Sequence, residues 1–139
     1  MIKYLLDTNI ISEIHKPKPQ GGVLAWFNSL REEQVFLSAV TLGELQDGIE
    51  RVRRQDAAKA HAIEEWVDEL EVSSMVLPSD GRCFREMARM MVGKQIDLFH
   101  DAMIATTARL HALTVATRNE KDFKQLGVEI FNPFKFRQP

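Results

Sequence analysis

Three acidic residues of this 139-residue chain stand where a carboxylate can do chemistry. Asp7 ends the first β-rich run, and Thr8-Asn9 turn the chain towards helical spacing. In open parallel sheets ligands bind outside the carboxyl ends of the strands, so an acid at this point faces the usual crevice. The competing reading is that Asp7 or Thr8 only caps the helix that follows. Glu44 lies just inside a helix after the second run, but Thr41-Leu42-Gly43-Glu44 also fits a capping box, with Glu44 bonding back to a backbone N–H. Asp101 opens the apolar helix Asp101-Ala102-Met103-Ile104-Ala105-Thr106-Thr107-Ala108, where the helix dipole favours an acid. Asp97 is the better candidate for that cap. This leaves Asp101 on a helix of small residues that can lie close to a sheet. Asn119 and Asp122, in Thr117-Arg118-Asn119-Glu120-Lys121-Asp122-Phe123, offer further oxygen ligands after the fourth run.

Metal-assisted phosphodiester hydrolysis is the chemistry that needs such a set. Mg²⁺ and Mn²⁺ are hard cations that take carboxylate, carbonyl and water oxygens. Crowded carboxylates repel one another unless a divalent ion neutralises them. The ion lowers the pKa of a bound water and stabilises transition-state charge. His15, His61, His100 and His111 are scattered without metal spacing, and with one cysteine, Cys83, a zinc site is not expected. No Gly-x-Ser-x-Gly motif supports nucleophilic serine chemistry.

Such acids must be positioned by elements far apart in the chain. Ile2–Leu6, Val35–Leu37, Ser74–Leu77, Thr114–Ala116 and Val128–Ile130 are β-rich runs. Helical spacing separates them: Val23, Phe27 and Leu30 recur on one face, as do Ile63, Trp66, Val67 and Leu70. The alternation predicts an α/β domain with a central, mostly parallel sheet flanked by helices. The loop from His15 to Gly22 separates the first two helices, and Ser79 or Asp80 caps a helix carrying Phe84, Met87, Ala88 and Met91. Without a repeat or long linker, one domain over 1–134 with a short tail at 135–139 is expected.

Hydrophobic residues make up 45% and charged residues 27%, ordinary for a soluble globular chain. A lone cysteine, no signal-peptide pattern and no apolar run of roughly 18 residues point to a cytoplasmic protein with no membrane span. The net charge of −2 makes the whole surface no magnet for nucleic acid. Cations do gather at Arg51, Arg53, Arg54 and Lys59, and at Arg82, Arg85, Arg89 and Lys94. Solvated helix faces explain either group taken alone.

Four blocks, Leu5-Leu6-Asp7-Thr8-Asn9, Ser38 to Leu45, Asp101-Ala102-Met103-Ile104-Ala105 and Thr117 to Phe123, resemble in order those of PIN-domain proteins. They are most similar to VapC toxins of type II toxin–antitoxin pairs, including the FitB-like branch. The resemblance implies an acidic pocket binding Mg²⁺ or Mn²⁺ and endoribonuclease activity, with transfer or ribosomal RNA as substrate. It makes Asp7 and Asp101 direct metal ligands and Glu44 a third acid acting through water. Many relatives carry an aspartate where this chain has Asn119, so the fourth role falls to Asn119 or to Asp122. Thr8, Asn9 and Thr117 match polar residues that support the pocket. A cognate antitoxin that covers the groove and binds promoter DNA is implied, as is a homodimer or larger assembly. Trp26, Phe27, Trp66, Met87, Met90 and Met91 could serve such interfaces, although their helical spacing favours a core.

Two other readings remain. A strand-end Asp also suits phosphoryl-transfer domains, but a haloacid-dehalogenase-type phosphatase needs a second aspartate at position 9, which is Asn9. The second is a non-catalytic PIN-like module acting in an antitoxin–DNA complex.

Overall fold

A computed structural model describes residues 1–138. Five short strands form one sheet: β1 (Tyr4–Leu6), β2 (Val35–Ser38), β3 (Met75–Leu77), β4 (Thr114–Ala116) and β5 (Ile130–Phe131). Their order is β3-β2-β1-β4-β5, with every pairing parallel. Seven α-helices connect and cover them: α1 (Thr8–His15), α2 (Gly21–Asn28), α3 (Ala39–Arg53), α4 (Ala57–Ser73), α5 (Gly81–Met90), α6 (Phe99–Leu110) and α7 (Glu120–Gln125).

Alternate residues of the central strands face opposite layers. Leu5 and Val115 join Ile104, Ala105, Ala108 and Phe123 in one core. Tyr4, Leu6 and Ala116 join Ile10, Val23 and Trp26 in the other. Tyr4, Leu5 and Leu6 are all buried, as expected of a parallel strand covered on both faces. The small residues of α6, with Ala102, Ala105 and Ala108 wholly buried, let that helix lie close under β1 and β4. The α3–α4 hairpin adds a satellite core around Ile49, Ala60 and Val67.

The chain order places a topological switch at β1. The path runs outward from β1 to β2 and β3, then returns to the other side of β1 with β4. Loops leaving the carboxyl ends of β1 and β4 therefore diverge and open a crevice, the usual ligand site of such sheets.

Several local expectations need correction. Strand β5 starts at Ile130, not Val128, because the chain first turns at Leu126-Gly127, where Gly127 has a φ of 70°, and Val128 and Glu129 lead into the strand from there. Helix α2 ends at Asn28, where Ser29 Oγ donates to Trp26 O at 2.6 Å, so its buried face is Val23 and Trp26 and Leu30 lies beyond it. Asp80 caps α5, accepting from Cys83 N at 3.1 Å, while Phe84 of the expected apolar face is 47% exposed. Trp26 and Met90 are buried, and Phe27, Trp66, Met87 and Met91 pack half-buried against the cores. Within the expected tail, Phe136 packs against the second core and residue 139 lies outside the described residues.

Candidate active site

Asp7 leaves the carboxyl end of β1 with its backbone N–H donating to Ala116 O of β4 at 2.9 Å. It is also the N-cap of α1, its Oδ1 accepting from Thr8 N at 2.8 Å. Capping uses Oδ1, so it does not compete with a role of this carboxylate in the crevice. Its Oδ2 accepts from Thr117 Oγ1 at 2.8 Å and from Asn9 Nδ2 at 3.1 Å. Thr117 follows β4, is wholly buried, and accepts in turn from Asn119 N at 2.9 Å. Arg118 N donates to Asn9 Oδ1 at 3.3 Å. The two strand ends are therefore laced together around one carboxylate.

Glu44 does not close a capping box. Helix α3 begins earlier than that reading needs, with Ser38 as N-cap accepting from Val40 N at 3.2 Å. Thr41 is then a buried interior residue whose Oγ1 finds no partner among the described residues. The Glu44 carboxylate, one turn into the helix, instead accepts from Thr8 Oγ1 at 2.9 Å, with His100 Nδ1 3.6 Å from its other oxygen. Thr8 thus bridges the first and second acids. Asp97 does not cap α6 either. It sits in a 3-10 turn (Ile96–Leu98), and the N-cap position falls to Leu98, which makes no side-chain cap bond.

Asp101, in the first turn of α6, is half-buried. Asn119 Nδ2 lies 3.4 Å from Asp101 Oδ2 and donates to Asp122 Oδ2 at 2.8 Å. The Asn119 amide thereby links the last two acids.

Electrostatically the set is unbalanced. Burial pushes the Asp7 carboxyl up from its ordinary 3.8, by more than the bonds from Thr117 and Thr8 pull it down. Burial also raises Asp101, and the charges of Asp7, Asp122 and Glu44 carry it further, to about 6. Among the described residues neither Asp7, Asp101 nor Asp122 pairs with a lysine or arginine.

No three of the described His, Cys, Asp or Glu side chains stand in a ready-made metal cage. The donors nevertheless fit a small hard cation. They are carboxylate oxygens, no lysine or arginine among the described residues pairs with the three aspartates, and Asp7 Oδ1 accepts a single bond, from Thr8 N, which leaves it room for a further partner. Mg²⁺ keeps several waters and needs few direct carboxylates, so splayed acids suffice.

Two hollows flank the acids. One, of about 540 Å³, is lined by Lys94, Gln95, Asp97, Asp101, Lys121 and Asp122 among others. The second, of about 590 Å³, is lined by Thr8, Glu44, Asp47, Arg51 and His100 among others. Sequence reasoning overlooked His100 and Lys121. The only signal for His100 is its place beside Asp101, and Lys121 carries none.

Thr117→Val removes the donor to Asp7 but keeps the shape. We expect it to weaken Mg²⁺ binding and to cost about 1–3 kcal/mol of stability, because a buried carboxylate loses a bond. Calorimetric titration beside thermal unfolding checks this, and unchanged values for both contradict the lacing role.

Residues 4–129 match the PIN domain. The chain is 36% identical to Toxin FitB of Neisseria gonorrhoeae over 138 residues, covering 94% of this chain and 97% of that protein. It is 37% identical to VapC ribonuclease Y4jK of Sinorhizobium fredii over 140 residues, again 94% and 97% of the two. The crystal structure of FitAcB from Neisseria gonorrhoeae superposes with a TM-score of 0.86 at 35% identity, covering 96% of this chain and 99% of that one. With one match spanning most of the chain and two relatives aligned almost end to end, the chain belongs to the PIN-domain family, in the branch of the FitB and VapC proteins.

Proposed function

We propose that this protein is the toxin of a type II toxin–antitoxin pair, a Mg²⁺- or Mn²⁺-dependent endoribonuclease that hydrolyses phosphodiester bonds of transfer or ribosomal RNA. The observation that carries this reading is the gathering of Asp7, Glu44, Asp101 and Asp122 around one crevice with, among the described residues, no lysine or arginine paired to the three aspartates. Relatives named as a toxin and a ribonuclease support it.

Bound among these acids, the cation supplies charge neutralisation and an acidified water. The chain supplies the rest. Asp7, held by Thr8, Asn9 and Thr117, and Asp101, in the first turn of α6, would be the cation's direct ligands. Glu44, fixed by Thr8, would be the third acid, acting on the cation through a water whose proton its carboxylate would take up. Asn119 and Asp122 close the fourth side, with Asp122 as the acid and Asn119 as its positioning partner. A cognate antitoxin that covers the crevice, and through its own DNA-binding part holds promoter DNA, fits the same family reading, as does a homodimeric or larger assembly.

Incubating the purified, antitoxin-free protein with total RNA in Mg²⁺ or Mn²⁺, beside EDTA, tests the activity. Discrete products that vanish with chelator are expected. Equal cleavage in EDTA removes the metal mechanism, and no cleavage favours a non-catalytic PIN-like module. We further expect Glu44→Gln to lower the rate by roughly a hundredfold while changing Mn²⁺ affinity only slightly. Equal loss of Mn²⁺ binding in Glu44→Gln and Asp7→Asn contradicts the water-mediated role.

A further inference from the structure

The cations picked out in the sequence do not meet equal fates. Arg51 is bonded to Asp47, Arg53 to Glu50 and Glu64, and Arg89 to Glu86. Arg82 donates to Leu110 O at 3.3 Å. Lys94 is different. It leaves the turn after α5, where Gly93 adopts a φ of 76°, and it lines the hollow beside Asp101. Lys121, from the remote helix α7, lines the same hollow. Both lysines are exposed, and neither forms an ion pair among the described residues.

Two unpaired lysines from separate elements thus share a cavity with Asp97, Asp101 and Asp122. Its volume, about 540 Å³, lies within the ordinary range for small-molecule sites. With all three carboxylates ionised the hollow carries one excess negative charge and repels an anion. A divalent cation at Asp101 reverses that sign, and the lysines then face a site attractive to phosphate. The hollow across the acids is not equivalent, because its arginine, Arg51, already serves Asp47.

We propose that the Lys94–Lys121 hollow seats the backbone phosphate of an RNA strand next to the one being cleaved, and accepts it only when the acids hold a divalent cation. This rests on the ribonuclease reading above. Because Asp101 and Asp122 line the hollow as well as the crevice, a strand seated there lies beside the reacting bond. Lys94 and Lys121 are then positioning residues, contacting phosphate rather than reading bases.

A labelled phosphorothioate uridine oligomer, titrated in Ca²⁺ and in EDTA and followed by fluorescence anisotropy, tests this. Wild type is expected to bind in Ca²⁺ and not in EDTA. Lys94→Ala/Lys121→Ala should bind roughly tenfold more weakly, with a salt slope shallower by about 0.7, the contribution of the one single-strand phosphate that the two lysines share. In RNA cleavage the same variant should raise KM with little change in kcat, and Lys94→Arg/Lys121→Arg should restore binding. Lys3→Ala/Lys59→Ala is the charge-matched control. Lys3 precedes β1 at the amino end of the sheet, and Lys59 opens α4 at the far end of the α3–α4 hairpin. Unchanged affinity and slope in the Lys94/Lys121 variant, with wild type binding in Ca²⁺, overturns the subsite and leaves the ribonuclease reading standing. An equal loss in the control also overturns it, since general charge then suffices. Absence of wild-type binding in Ca²⁺ also overturns the subsite, while metal-dependent cleavage of total RNA decides the ribonuclease reading separately.

Discussion

Asp101→Asn is expected to lower RNA cleavage by roughly a thousandfold while making the metal-free protein more stable at pH 7. The two effects share one cause. Half-burial raises the Asp101 carboxyl most, and the charges of Asp7, Asp122 and Glu44 carry it further, to about 6. The folded protein therefore holds a proton that the unfolded chain, at an ordinary 3.8, has already released. Its contribution to stability is present at low pH and is lost as pH rises through about 6. Removing the charge relieves a cost on the order of 1 kcal/mol at pH 7, after allowance for solvent screening, and nothing at pH 4. Denaturant unfolding of wild type and variant in EDTA at both pH values checks this. Saturating Mg²⁺ should reverse the ranking, because only wild type keeps the ligand charge. A variant that cleaves RNA at the wild-type rate would falsify the assignment of Asp101.

Phe123→Ala should cost about 3–5 kcal/mol, a large share of the 5–15 kcal/mol typical of whole domains. Phe123 is wholly buried, packed with Ala105, Ala108, Val115 and Leu126 between α7, α6 and β4. It is also the neighbour of Asp122, so it fixes the short helix that carries the fourth acid. Below the unfolding range the variant should still bind Mn²⁺, more weakly than wild type. A loss under 1 kcal/mol, read from urea unfolding, means that α7 is held by its other contacts and that Phe123 does not anchor it.

Much of this was legible in the sequence, for local reasons. The strand runs at Tyr4–Leu6, Val35–Ser38 and Thr114–Ala116 stand out because central parallel strands are buried on both faces and so read as continuous apolar stretches. The expectation that Asp7 faces the crevice follows from the same logic, since ligands of such sheets sit outside the carboxyl ends of the strands. What stayed hidden depends on distance along the chain. Whether Glu44 caps or serves the crevice turns on where α3 begins, and that is decided by Ser38 and by Thr8, which reaches Glu44 from the first helix. Asp97 reads as a cap because acids favour helix starts, yet tertiary packing places it in a hollow with Lys121, from the far end of the chain. No spacing rule links those two residues. The bond from Thr117 to Asp7 joins opposite ends of the sequence for the same reason.

The placement of β1 between β2 and β4 also has a consequence for synthesis. A nascent chain that has emerged only through α3 presents Asp7 and Glu44 to solvent with one side of β1 bare. Neither Thr117 nor Asp101 exists yet to complete their surroundings. The acidic pocket therefore assembles late, after β4 slots beside the oldest strand and α7 folds against it. Truncations ending before Thr114 should yield soluble fragments at best, never a weakened version of the finished pocket. The acids of the crevice are in this sense brought together only once β4 and α7 are in place.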